Sequence, residues 1–300
     1  MPLPPVKILR KEVNLMLQII INAVLLGSVY GIMSQGFSLM WGVMNILNLA
    51  AGTLIVVGAY LSYVFMMLLP NVNPYFTTPL VLFIAFSIGV VIQKFLYNRM
   101  VKGGLRRVLL LTFGLNMVIV DILLFIFKAN YLQINVNYTL LKFKEIYIPS
   151  HRIIIFVIAW VLFLLTFLLF TKTKTGLIIR ATAFNTEAAE ICGVKIARTY
   201  IITTGIAIAL GGVAGSMLGT IFSFSPAEGV GFLAKCFVIC VIGGLGNVPG
   251  AMIGGLIYAL AEGVGGWIFG TQWQSCVGFS ILYIVLALKP EGILARKKLA

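Results

Sequence analysis

Side chains able to do chemistry are few in this chain, and their spacing argues against most catalytic sites. Only 8 of the 300 residues are acidic, one is histidine, and Asp121 is the single aspartate. This set offers no Ser–His–Asp constellation and no paired carboxylates, and the four cysteines follow no metal-binding spacing. Residues 211–216 are glycine-rich but lack the lysine of a phosphate-binding loop. We therefore expect that the chain is not an enzyme, binds no metal or cofactor, and does not hydrolyse nucleotide by itself.

Two acids interrupt long apolar runs. A charged residue inside a membrane span is energetically costly, so we treat it first as a candidate functional residue. Asp121 must pair, face the protein interior or be protonated, and Glu262 stands beside several glycines. A proton-coupled carrier would use carboxylates of this kind, but two isolated acids without a histidine make a weak proton relay.

The most organised polar stretch is residues 172–198, which we call the coupling segment. An apolar stripe recurs within it at intervals of four and three residues, the spacing of one helix face; its members are Leu177, Ala181, Phe184, Ala188 and Ile191. Asn185 or Thr186 can cap a helix whose first turn contains Glu187, and Gly193 can end it in the left-handed conformation. Two interpretations stay open: an amphipathic connector on the headgroups, or a helix that docks into a groove on a cytoplasmic partner.

Composition places the chain in a membrane. Apolar residues make up 61%, charged residues 10%, and mean hydropathy is +1.08, whereas soluble domains are about 45–50% apolar and about 25% charged. The +14 net charge is explained by cytoplasmic Lys and Arg and by anionic lipid, so no nucleic-acid partner is expected. The predicted fold class is all-α: a polytopic transmembrane helical bundle with broken or re-entrant segments, forming a single transmembrane domain over residues 1–300.

Apolar runs long enough to span a bilayer suggest about eight to nine crossings. They cover residues 15–41, 46–69, 79–97, 108–127, 153–170, 200–222, 232–245, 250–269 and 277–288. Basic residues favour a cytoplasmic location for the coupling segment and the C-terminus; they are Lys94, Arg99, Lys102, Arg106 and Arg107 in one loop, Lys172, Lys174, Arg180, Lys195 and Arg198 in the coupling segment, and Lys289, Arg296, Lys297 and Lys298 in the tail. Nine crossings would put the basic residues Lys7, Arg10 and Lys11 outside, and eight would put them inside.

Two places break the helical pattern, at residues 45–52 and 243–250. Backbone released from a helix at membrane depth is buried in protein or lines a cavity, and such paired interruptions indicate a transport pathway. The candidate pathway residues are Asn45, Asn48, Gly52, Gly243, Gly244, Gly246 and Asn247. Plain turns outside the membrane are the alternative. Small residues three or four apart along several spans, such as Gly205, Ala209 and Gly212, predict closely packed helices.

The coupling segment resembles that of ABC importer permeases, in which a Glu-Ala-Ala pattern is followed by glycine. Here Glu187, Ala188 and Ala189 precede Gly193 at the matching spacing. Further strings are similar to the H-type permease subunit of the branched-chain amino-acid permease family: Asn48-Leu-Ala-Ala-Gly52, Gly176-Leu-Ile-Ile-Arg180-Ala, residues 242–255 and residues 289–294. This resemblance covers essentially the whole chain.

The resemblance implies a heteromeric importer in the bacterial inner membrane. A second, M-type permease, two cytoplasmic ATPases and a periplasmic substrate-binding protein would be its partners, and the ATPases would use the ATP. The chain would translocate leucine, isoleucine and valine by alternating access, with Arg180, Glu187, Ala188, Ala189 and Gly193 in the ATPase-coupling loop. A pathway without fixed charge would suit apolar side chains.

Two departures from the family pattern concern the substrate. The family usually has a histidine where this chain has Ala51, and is usually uncharged or amide-bearing where this chain has Asp121. Related permeases handle urea, short amides and sugars, so a same-family permease for urea or other small solutes is one alternative. A secondary transporter that works alone is another, and a membrane-embedded enzyme is opposed by the missing catalytic set.

Overall fold

The computed structural model describes residues 5–70, 72–100, 105–136, 139–143, 146–289 and 292–294. The basic positions Lys102 and 296–298 lie outside the described residues, as do the side chains of Lys7, Arg10 and Lys11. The orientation argument that rests on those positions stays a prediction.

Helices dominate the chain. They are α1 (Pro5–Met44), α2 (Ala51–Leu68), α3 (Thr78–Ile92), α4 (Asn98–Met100), α5 (Leu105–Phe127), α6 (Ser150–Lys172), α7 (Lys174–Phe184), α8 (Thr186–Ile191), α9 (Ile196–Ile221), α10 (Gly229–Gly243), α11 (Val248–Phe269) and α12 (Gln274–Leu288). A π-helical turn, Gln93–Tyr97, joins α3 to α4. Within the described residues, nine helical segments are long and apolar enough to cross a membrane, which confirms the predicted all-α polytopic bundle.

The long α5–α6 connection contains the one sheet in the described part of the chain. Strands β1 (Leu140–Phe143) and β2 (Ile146–Pro149) pair antiparallel, with Leu141 opposite Ile148. Earlier in the same connection, Leu132 and Phe224 exchange two backbone hydrogen bonds of 2.9 and 2.8 Å. This connection is therefore tied to the end of α9.

Helix α9 is the centre of the bundle. In its most apolar stretch 83% of residues are buried, against 11% in α5 and in α12, and it packs on α1, α2 and α3. A methyl group built on Gly58 of α2 would overlap the Gly212 carbonyl of α9, and one built on Gly89 of α3 would lie 2.9 Å from the Gly205 Cα of α9. The small residues predicted to bring spans together therefore do so where packing is tightest.

Candidate functional site

The coupling segment forms two helices rather than the single helix that its apolar stripe predicted. Helix α7 ends at Phe184, and Asn185 is extended at φ −153° and ψ 110° before α8 begins at Thr186. The interruption arises because the Asn185 side chain accepts a hydrogen bond of 3.0 Å from the Ala188 N–H, which starts a new helix. The stripe from Leu177 to Ile191 is therefore divided between two helices at Asn185, one of the two positions that the sequence predicted as a helix cap.

The predicted ends of α8 are confirmed. Asn185 is the N-cap and Glu187 lies in the first turn. Gly193 takes φ +85°, its N–H donates to the Glu190 carbonyl at 2.9 Å, and the Val194 N–H donates to the Ala189 carbonyl at 3.0 Å. This pair of bonds is a Schellman motif, in which glycine avoids the strain of a side chain at positive φ.

The helices of the coupling segment turn one face to the bundle. Gly176, Ile179 and Thr182 of α7 and Ala189 of α8 are buried. A methyl group on Gly176 would overlap the Leu169 carbonyl, so α7 folds back tightly against the end of α6.

The apolar stripe lies on the opposite, uncovered face. Leu177 is 60% exposed, Phe184 83% and Ile191 87%, and Ala181 and Ala188 are also exposed. We call these five residues the docking surface. Arg180 and Glu187 are exposed beside it. Large apolar side chains this exposed are typical of a surface that meets another protein or the membrane.

The first break, between α1 and α2, is stabilised by Asn48. Asn45 ends α1 at φ +51°, a conformation that asparagine tolerates. The buried Asn48 Oδ1 accepts from the Ala50 N–H at 3.0 Å and from the Tyr97 hydroxyl at 3.1 Å. Gly52 already belongs to α2, where a methyl group would overlap the Gly229 carbonyl of α10.

The π-helical turn that supplies Tyr97 also carries the buried Gln93. Gln93 Oε1 accepts from the Thr204 hydroxyl of α9 at 2.7 Å, and Gln93 Nε2 donates to Asn98 Oδ1 at 2.9 Å. Gln93 and Tyr97 were not predicted to support the break. Their partners are distant in sequence. The one local signal was Gln93, a polar residue within an apolar run.

The second break, between α10 and α11, is held by hydrogen bonds to Ile293 and Leu294, which follow α12. Gly244 and Gly246 take φ +91° and +79°. Asn247 Nδ2 donates to the Leu294 carbonyl at 2.7 Å, and the Ile293 N–H donates to the Ile242 carbonyl at 2.9 Å.

The two breaks approach each other, because a methyl group on Gly246 would lie 2.9 Å from the Gly42 Cα of α1. Gly243 packs more closely still on Gly250, where an added methyl group would overlap the Gly250 carbonyl oxygen. Among the candidate pathway residues, Asn48 lines a small internal cavity of about 20 Å³, room for about one water. The pathway role of all seven candidates, Asn48 included, stays a prediction.

The intramembrane acids occupy different environments. Asp121 is exposed on α5, which excludes the interior position considered for it. Glu262 of α11 is 7% exposed and forms an ion pair of 2.7 Å with Lys235 of α10. Glu262 is therefore not isolated, and Lys235 is the functional candidate that sequence reasoning missed. It was detectable as the one basic residue inside the predicted span 232–245.

The ion pair borders a cavity of about 710 Å³ lined by α1, α10, α11 and the connections at one end of the bundle. A cavity of this size with a charged pair in its wall is inconsistent with an interior free of fixed charge. Tyr30 of α1 completes the charged group, because its hydroxyl accepts a hydrogen bond of 2.9 Å from Lys235 Nζ.

Comparison with known proteins gives a consistent result. Residues 19–286 match the family model described as branched-chain amino acid transport system / permease component. The chain is 28% identical to the high-affinity branched-chain amino acid transport system permease protein BraD of Pseudomonas aeruginosa, covering 95% of this chain and 97% of BraD. It is 27% identical to the permease protein LivH of the corresponding Escherichia coli K12 system, covering 93% and 96%. A probable branched-chain amino acid transport permease LivH of Methanocaldococcus jannaschii is 24% identical over 96% of this chain. No solved structure matches the chain significantly.

Proposed function

Because the chain belongs to the family of permease components of branched-chain amino acid transport systems, we propose that it is a membrane-spanning permease subunit of a binding-protein-dependent ABC importer. Its substrates would be leucine, isoleucine and valine, the class named for its relatives BraD and LivH. The single observation that carries the proposal within the structure is the docking surface, which is apolar and uncovered on helices that end in the expected caps.

The docking surface would receive a cytoplasmic ATPase. Phe184 and Ile191 are large enough to fill pockets in a partner, and exposed aromatic anchors supply much of the energy in such interfaces. Two ATPases would serve this chain and a second, M-type permease, and a periplasmic binding protein would deliver substrate. ATP would be used by the ATPases, and no cofactor would be bound by this chain.

Force applied at α8 has a short path into the bundle. Helix α8 is joined through Gly193 to α9, the most buried helix, and α7 is held against α6 by the close approach of Gly176. A rigid movement of the two coupling helices would therefore shift α6 and α9 together. Alternating access would follow if that shift opened one end of the bundle as it closed the other.

The proposed location is the bacterial inner membrane, with the coupling segment and the C-terminus in the cytoplasm. The Lys and Arg residues of the coupling segment support this orientation. With nine crossings, the N-terminus would lie on the opposite side, so its basic residues would depart from the usual distribution.

Copurification and transport together test the proposal. The tagged chain, extracted from its native membranes in mild detergent, should retain a second permease and two ATPases. Proteoliposomes containing the complex should accumulate radiolabelled leucine only with ATP and the binding protein. ATP-independent leucine uptake by the chain alone would support a secondary transporter, and uptake of urea but not leucine would support the same-family alternative.

A further inference from the structure

The charged group formed by Lys235, Glu262 and Tyr30 is built from three helices. Lys235 Nζ lies 2.7 Å from Glu262 Oε1 and 2.9 Å from the Tyr30 hydroxyl. It also lies 5.0 Å from the centre of the Tyr30 ring, on the hydroxyl side. The side chains of Lys235 and Glu262 are 22% and 9% exposed, so the lysine reaches the cavity more fully than the carboxylate. The three residues therefore present one cation and one anion side by side in the wall of an accessible space.

A charged pair inside a transmembrane bundle holds two helices together only at a large cost in desolvation free energy. Removing both charges from water costs free energy that their mutual attraction seldom exceeds, and apolar residues of similar volume often stabilise a protein as well. Intramembrane charges accordingly tend to mark substrate or ion pathways. Because this pair also borders a cavity of about 710 Å³, within the range of small-molecule sites of about 300–1,000 Å³, a ligand can reach it.

We propose that Lys235 and Glu262 bind the head group of a free amino acid during translocation. The substrate carboxylate would contact Lys235 Nζ and the substrate ammonium would contact Glu262. This inference rests on the proposed function. It identifies the residues that would bind the ammonium and carboxylate groups, which leucine, isoleucine and valine have in common.

Charge pairing favours a zwitterion over other ligands. An anion or a cation alone would satisfy one member of the pair and leave the other buried without a partner, which is costly. A zwitterion exchanges one ion pair for two, so both charges stay compensated while the helices separate. Urea and sugars carry no charges to make this exchange, so the same geometry disfavours them.

The rest of the cavity suits an aliphatic side chain. Ile19, Leu26, Phe222, Phe232 and Trp267 contribute apolar lining from α1, α10, α11 and the connection after α9. The other charged residues of the lining, Arg152 and Glu228, lie at the start of α6 and just before α10, and Arg152 donates to Asn22 Oδ1 at 3.1 Å. Lys235 and Glu262 are thus the ionised residues of the lining that lie well inside helices.

The test compares neutral variants in the complete reconstituted complex. Lys235→Met, Glu262→Gln and the double variant Lys235→Met/Glu262→Gln keep side-chain size while removing one or both charges. Each should lower ATP-dependent leucine uptake by about tenfold or more, the effect of losing one charge-assisted hydrogen bond. Membrane insertion and copurification with the ATPases should persist. Asp121→Asn is the matched control, because it neutralises an intramembrane acid outside the cavity, and uptake should stay near that of the unchanged protein.

The double variant separates binding from support of the fold. It leaves no unpaired charge, so it should fold even where a single variant does not. If the ion pair only holds α10 to α11, the double variant will restore leucine uptake, and that result would overturn the proposal while leaving the importer function intact. If the unchanged complex takes up no leucine, the proposed function fails and this inference fails with it.

Discussion

Individual glycines decide how closely the spans of this protein approach. At Gly58 and Gly215 an added methyl group would overlap backbone atoms of the neighbouring helix, whereas at Gly114 of α5 it would meet nothing within 4 Å. Membrane helices gain no hydrophobic free energy from leaving lipid, so close backbone contact is a main source of their packing energy. These glycines are therefore of unequal importance, although the sequence presents them alike.

Alanine substitution should reveal this difference. Gly58→Ala should lower the free energy of unfolding by about 1–3 kcal/mol, because α2 and α9 must separate to admit the methyl group. The midpoint of thermal unfolding in detergent measures the change. Gly114→Ala adds the same methyl group to an open helix surface and should not lower the midpoint; equal losses at both sites would contradict the packing argument.

Residue types with strong local preferences were predictable, and long-range partners were not. Asn185 and Gly193 were correctly predicted as caps, because capping depends on neighbours within four residues. Lys235 was missed because its partner Glu262 is 27 positions away and no local pattern connects the two. The same limit applies to Asn48, whose contact with Tyr97 depends on how α3 packs.

The two coupling helices show where periodicity fails at the scale of an element. Leu177 to Ile191 keep helical spacing through Asn185, so the pattern alone predicts one helix. The break at Asn185 leaves the stripe residues exposed, but it places them on two short helices rather than on one continuous helix. The uncovered face could be anticipated from the sequence, and so could the start of a new helix at the predicted cap Asn185. The packing of α7 against the end of α6 required the structure.

Exposed and buried apolar residues of α7 should respond differently to the same change. Phe184→Ser should leave thermal stability nearly unchanged, because the side chain is 83% exposed. It should weaken ATPase binding by about tenfold, as expected for loss of an aromatic anchor. Ile179→Ser is the control, because Ile179 is 2% exposed and its loss should destabilise the permease itself. Copurified ATPase per permease and the unfolding midpoint distinguish the two effects, and normal ATPase binding by Phe184→Ser would exclude this face as the docking surface.

The C-cap of α8 allows a second test of force transfer. Gly193→Pro should abolish leucine uptake while leaving the protein in the membrane, because proline cannot adopt φ +85° and lacks the N–H that donates to Glu190. Gly193→Asn should retain most of the uptake, since asparagine tolerates positive φ. Radiolabelled leucine uptake into proteoliposomes provides the comparison. Equal uptake by the two variants would contradict a mechanical role for this cap.

At the scale of the whole molecule, the order of the helices separates the coupling segment from the cavity. The coupling segment connects the last residue of α6 to the first residue of α9. The cavity is lined by residues near the other end of α9, such as Phe222, and by residues before the start of α12, such as Thr271. An importer with this arrangement would receive ATPase force at one end and substrate at the other. The apolar runs predict the spans, but the cavity depends on which helices meet and could not be located from them.

Thiol labelling in spheroplasts and inside-out vesicles tests this orientation directly. Cys192 is exposed in the coupling segment and Cys236 and Cys240 are buried, so a Cys276→Ser chain reports the coupling side through Cys192. A chain with Cys192→Ser, Cys276→Ser and Thr271→Cys reports the opposite side. A membrane-impermeant maleimide should label Thr271→Cys in spheroplasts and Cys192 only in inside-out vesicles, because the Lys and Arg residues of the coupling segment predict a cytoplasmic location for it. The reverse pattern would place the docking surface outside the cytoplasm, where no cytoplasmic ATPase could reach it. That result would contradict the importer proposal.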